Sequence, residues 1–156
     1  MTHKHLFLLS PSTWVGKGII SFNMSVEKLT FSTTWNVKHK KDGSISCKQE
    51  IDIDDIPDKM INQFEFSEIA NNKFLVNLTN EILGNVDGKG IVDKEILAWE
   101  FRGSDLDFEG YEIFEKQGDL KYLTRAEFTS KDQMRTMIEG SIWQKEEEKQ
   151  TSSENS

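Results

Sequence analysis

Residues 29–53 constrain the fold more than any other stretch. Leu29, Phe31, Thr33, Trp35 and Val37 are mostly apolar, and Lys28, Thr30, Ser32, Thr34, Asn36 and Lys38 around them are polar. A period of two places one face of a strand on a core and the other in water. Lys41-Asp42-Gly43 then supplies a turn, because Gly takes positive φ without steric cost and Asp-Gly is a strong hairpin signal. The alternation resumes with Ile45, Cys47, Gln49, Ile51 and Ile53 against Ser44, Ser46, Lys48, Glu50, Asp52 and Asp54. The pattern predicts a long antiparallel hairpin with one wet face.

The remaining chain follows the same rhythm. In a first strand at 13–22, Trp14, Gly16, Gly18, Ile20 and Phe22 share a face. Two glycines inside a strand predict a sharp bend or the close approach of another backbone. Strands are expected at 61–69 and 74–82, joined by Asn71-Asn72-Lys73, the second burying Phe74, Val76, Leu78 and Ile82. Residues 85–90 read as a glycine-rich turn. They fail as a calcium loop, because placing Gly88 sixth puts Leu83 first and Lys94 twelfth, where acidic ligands are needed. Further strands at 96–102, 108–114, 120–128 and 134–143 are separated by Gly103-Ser104-Asp105, Gln117-Gly118-Asp119 and Ser130-Lys131-Asp132.

Many short strands, hairpin-length connections and no long helix define an all-β chain. Closure removes exposed edges, so the expected architecture is a single up-and-down antiparallel β-barrel of about 8–10 strands. It would occupy residues 13–145, after a lead-in at 1–12 that is disordered or strand-like and before a disordered polar tail at 146–156.

Composition narrows the function. A formal charge of -8 and a pI of about 4.9 repel phosphate backbones, which argues against nucleic acid. Lys38-His39-Lys40-Lys41 reads as a solvated hairpin tip. Ten Phe and four Trp demand burial and so oppose disorder of the whole chain. The single Cys47 forms no internal disulfide and alternates with core positions, so it reads as a small buried residue in a reducing compartment. Leu6-Phe7-Leu8-Leu9 is short for a signal peptide and no run reaches the roughly 20 apolar residues of a membrane helix, so a cytoplasmic location without a membrane span is expected. His3 and His5 make half a metal site that nothing nearby completes. Asp52, Asp54, Asp55 and Asp58 crowd one loop without the spacing of a calcium site. No metal and no cofactor are expected, and the pattern fixes no oligomeric state.

Ser12-Thr13-Trp14, followed by Gly16, resembles the Gly-x-Trp opening of the calycins, the lipocalin, fatty-acid-binding and nitrobindin-like barrels, with Ser12 in place of Gly. The resemblance implies a lipocalin-like barrel over residues 12–145. It also implies a late Arg packed over Trp14, with Arg135 and Arg125 as the candidates. Nitrobindin-like barrels hold heme through a late His. The histidines here are His3, His5 and His39, so that mode of ligation is not available.

Inside such a barrel, either Leu97, Trp99 and Phe101 or Ala98, Glu100 and Arg102 point inward. Burial of the two aromatics favours the first set and leaves Arg102 in solvent. Arg125, Glu127 and Glu139 are expected outside on the same grounds. Gln49 shares the inner face with Cys47 and Ile51 and so needs a partner, from Tyr111, Tyr122 or a ligand. No Ser-His-Asp set, metal set or forced carboxylate pair is present, which speaks against an enzyme. The reading is non-covalent binding of a small, mostly hydrophobic molecule in a barrel cavity, with Trp14, Phe31, Trp35, Gln49, Trp99 and Tyr122 as ligand-binding residues. The alternatives are a filled barrel acting as a protein-interaction module through the 52–58 loop, and a small isomerase or lyase using the cavity.

Overall fold

The computed structural model describes residues 5–103 and 106–146. The Gly103-Ser104-Asp105 turn and the 146–156 tail therefore lie partly outside the described residues, as does His3. The period-two segments all become strands: β1 (Ser12–Phe22), β2 (Lys28–His39), β3 (Ile45–Ile53), β4 (Met60–Ala70), β5 (Lys73–Asn80), β6 (Gly84–Val92), β7 (Ile96–Phe101), β8 (Phe108–Gly118), β9 (Lys121–Ser130) and β10 (Arg135–Gln144). Each pairs antiparallel with its sequence neighbours, and β1 closes on β10. The result is a closed, up-and-down, lipocalin-like barrel whose ladder has no free edge. No helix occurs among the described residues, so none is long and apolar enough to cross a membrane.

Local chemistry sets the turns. Gly43 has φ of 90° in the β2–β3 turn, where Asp42 Oδ1 accepts from the Ser44 amide at 2.9 Å. Asn71 and Asn72 both carry positive φ between β4 and β5, the conformation of a two-residue hairpin turn. The next strand ends earlier than the alternation suggested. Asn80 Oδ1 accepts from the amides of Ile82 and Leu83 and turns the chain there, leaving Ile82 exposed.

The glycine-rich 85–90 segment is a strand, not a turn. Val86, Gly88, Gly90 and Val92 form the inner face of β6, and the glycines make room for rings. A Cβ on Gly90 would lie 2.1 Å from the ring of Phe74, its direct partner on β5. The same device recurs at Gly18 opposite Phe31 and at Gly110 opposite Phe128, with contacts of 2.8 and 2.1 Å. The β1 glycines also fulfil the expected close approach, since a Cβ on Gly16 would meet the Ser141 carbonyl at 2.3 Å.

One half of the barrel is filled. Leu97, Trp99 and Phe101 point inward and are buried, while Arg102 and Arg125 are exposed, as burial of the aromatics required. Phe7, Trp14, Trp35, Phe64, Phe66, Trp99, Phe114 and Tyr122 form a continuous aromatic cluster. Phe7 comes from the segment expected to be disordered or strand-like, yet it is 0 % exposed at the cluster's centre. Its ring lies 5.4 Å from both Trp14 and Trp35 and 4.9 Å from Phe114, at the offset and edge-on geometries aromatic pairs prefer. Residues 5–9 thus plug one end of the barrel. Hydrogen bonds to Leu8 O from His39 Nε2 (2.8 Å) and between His5 Nε2 and Asp93 O (2.5 Å) fasten the plug to the end loops. Since Nε2–H donates to a carbonyl, His5 Nδ1 accepts from the Tyr122 hydroxyl at 2.6 Å.

The plug replaces the expected arginine over Trp14. Arg135 has outward parity at the opposite end of β10 and pairs with Glu127 at 3.1 Å, and Arg125 is exposed on the outer wall opposite Glu139. Trp14 is covered instead by Phe7 and Tyr122, and its Nε1 donates to Ser12 Oγ at 2.9 Å.

Replacing Gly90 by Ala should destabilise the fold by about 1–3 kcal/mol in urea unfolding, through displacement of the Phe74 ring. The double variant G90A/F74L should recover part of the loss. Purely additive effects would show that ring and glycine do not share this space.

Candidate functional site

Away from the plug the barrel is hollow. A cavity of about 400 Å³ opens among the loops at the other end, with the aromatic cluster as its floor. Its walls are mostly apolar, including Ile20, Phe31, Ile51, Ile53, Phe128 and Ile138. The space exists because inner-face positions here are short: Thr33 on β2, Thr124 and Ala126 on β9, Thr136 on β10.

Two polar features interrupt that lining. The first is a chain of side chains across adjacent strands. Asn80 Nδ2 donates to Asn62 Oδ1 (2.9 Å), Asn62 Nδ2 to Gln49 Oε1 (2.9 Å), and Gln49 Nε2 to Thr33 Oγ1 (3.2 Å), which donates to Glu50 O (2.9 Å). Gln49 therefore finds its partners in Thr33 and Asn62, not in a tyrosine. Tyr111 lies beside Glu127 and Tyr122 is in the plug.

The second feature is Glu112 on β8. Phe114 sits on the same inner face, so period two brings Glu112 inward as well. Its Oε2 accepts from Trp99 Nε1 at 2.9 Å. Burial pushes this carboxyl up to about 7, against the opposing pull of the Trp99 hydrogen bond. Glu112 is half-buried and lines the cavity. Cys47 is fully buried, and burial first, then the Glu112 charge, pushes its thiol far above the usual range. It is an inert core residue.

The structure divides the six residues anticipated as ligand contacts. Phe31, Trp35 and Gln49 line the cavity, whereas Trp14, Trp99 and Tyr122 belong to the packed floor and plug beneath it. Glu112, Asn62 and Asn80 were not anticipated. Counting back by twos from Phe114 would have found Glu112. The partners of Gln49 depend on strand register, which the sequence does not display.

No protein-family model matches the chain, and no curated protein matches it in sequence. Solved structures do match in shape. The S-type phycobiliprotein lyase CPES from Guillardia theta superposes with a TM-score of 0.68 at 7% identity, covering 88% of this chain and 89% of that one. EF1p2_mFAP2b bound to DFHBI superposes with a TM-score of 0.53 at 10% identity, covering 92% of this chain and all of the other. At such identities the likeness is one of fold, and the fold is a lipocalin-like barrel.

Glu112 makes stability depend on pH with a definite sign. An ordinary unfolded carboxyl titrates near 4.5 and this one near 7 in the folded protein. Between those values the folded chain holds a proton the unfolded chain has lost, so stability falls as pH rises through the interval. The advantage of Glu112→Gln over the parent should therefore grow by up to about 3 kcal/mol between pH 4.5 and pH 8. Urea titrations of both proteins at the two pH values check this, and a constant difference would mean that the carboxyl is solvated.

Proposed function

We propose that this protein binds a small, mostly hydrophobic molecule non-covalently inside its barrel. The observation that carries this reading is the cavity itself, about 400 Å³, walled by apolar side chains and holding a few fixed polar groups. Small-molecule sites have this size and this mixture. Filling the space with side chains would have been easy, since the walls there carry Thr and Ala. Support also comes from the two structural neighbours: one is a phycobiliprotein lyase, and the other was solved with DFHBI bound. In this reading Phe31, Trp35 and Gln49 touch the ligand, and Trp14, Trp99 and Tyr122 act from beneath by holding the floor rigid. Apolar burial drives binding, and the polar groups select among candidates of similar size.

Native mass spectrometry of protein purified gently from its own cells should show an added mass that is lost on denaturation. Ile138→Trp, which fills the cavity from β10, should retain the fold and lose that mass. A bare chain mass in the parent protein, with no uptake from a panel of lipids and tetrapyrroles, would overturn the proposal. Added mass that survives denaturation would do the same by showing covalent attachment.

A further inference from the structure

The two polar features of the cavity have opposite hydrogen-bonding character, and backbone groups fix that character. The amides of Ile82 and Leu83 can only donate, so the Asn80 atom that receives them is its oxygen. The Asn80 amide nitrogen must then donate to Asn62, Asn62 to Gln49, and Gln49 to Thr33. At the far end the Thr33 hydroxyl is committed as a donor to the Glu50 carbonyl, which confirms the direction. Every amide oxygen in the chain is occupied. Each amide nitrogen has spent one hydrogen and retains a second with no protein partner among the described residues. Gln49, Asn62 and Asn80 therefore present surplus N–H donors on the cavity wall.

Glu112 presents the reverse. It lies on β8, five strands around the ring from the Gln49 strand β3, so the two face each other across the barrel. Trp99 Nε1 holds Oε2, and Oε1 has no protein partner among the described residues. Buried polar groups without partners are costly, and they are normally satisfied by a ligand or by water.

We propose that the cavity selects a polarised ligand: an apolar body with a hydrogen-bond acceptor at one edge, met by the amides of Gln49, Asn62 and Asn80, and an N–H or O–H at the opposite edge, met by Glu112. This rests on the reading of the cavity as a ligand site and adds the ligand's chemical class and orientation. Molecules of equal size that lack either group are discriminated against, because each displaces water from a polar group of the cavity wall and leaves it unpaired.

2-Anilinonaphthalene-6-sulfonate tests this, since its N–H and its sulfonate lie at opposite ends of a naphthalene. Its N-methyl derivative lacks the donor, and N-phenyl-2-naphthylamine lacks the acceptor. By fluorescence titration at pH 8, the parent protein should bind the first probe at least about tenfold more tightly than either analogue. Glu112→Gln should erase the preference over the N-methyl derivative. Trp99 Nε1 would hold the new amide oxygen and leave an NH₂ facing the probe. Asn62→Asp should erase the preference over N-phenyl-2-naphthylamine by setting a carboxylate against the sulfonate. Equal affinity for all three probes in the parent protein would overturn the inference and leave a non-selective apolar site. Failure of every probe to bind would overturn the ligand-site reading together with it.

Discussion

A ten-strand barrel encloses more space than its inward side chains readily fill, and everything else in this structure answers to that constraint. An eight-strand barrel is just wide enough for side chains to pack across it. Here the inner faces carry three of the four tryptophans; Trp35 and Trp99 meet edge-on, with centroids 6.4 Å apart, and Trp14 joins them through an inserted ring. Phe7, from outside the barrel wall, supplies the central ring that touches Trp14, Trp35, Phe114 and Tyr122. Burying a single phenylalanine fully is worth about 1.5–3 kcal/mol in area alone, and its edge-on contacts add to that. Above this layer none of the described residues is inserted in this way, and the interior they enclose stays open.

The hollow half is held in shape by a different force. Gln49, Asn62 and Asn80 lie on three successive strands, and their hydrogen bonds run sideways, along the circumference of the barrel. Each link ties one strand to the next on the inner face, alongside the backbone ladder. Both ends of the chain terminate on main-chain groups, so no amide can flip without breaking a bond at each neighbour. A wall built this way presents its remaining donors in a fixed direction, which is what preorganised recognition needs.

The legible and illegible parts of this protein separate along physical lines. Period two along residues 29–53 depends only on nearest alternation, and both its strands and its Asp-Gly turn stand as the sequence implied. The same rule settled β7, where burying Trp99 and Phe101 outweighs placing Arg102 inside. It misleads at 85–90, where glycines read as punctuation. Gly88 and Gly90 are strand residues whose missing side chains accommodate Phe101 and Phe74, a pairing visible only once register is known. The plug was illegible for a related reason: Tyr122 lies 117 residues from its partner His5, and no local pattern announces such a contact. Glu112 was readable by parity from Phe114, but a carboxylate on an inner face contradicts the expectation that charges point outward.

That contradiction is resolved at Trp99, where the filled and hollow halves meet. Its ring stacks on Phe114 with centroids 4.9 Å apart and packs against Phe64 and Phe66, so the indole cannot turn. Its one polar atom emerges at the top of the aromatic layer and donates to Glu112. A buried indole N–H needs an acceptor, and a buried carboxyl needs a donor; each supplies the other. The pairing also fixes which carboxyl oxygen is consumed and which is left for the cavity. The orientation of the site is therefore set by the packing of the core beneath it. A change in the aromatic floor would reach the cavity as a rotated acceptor, well before it reached the barrel wall.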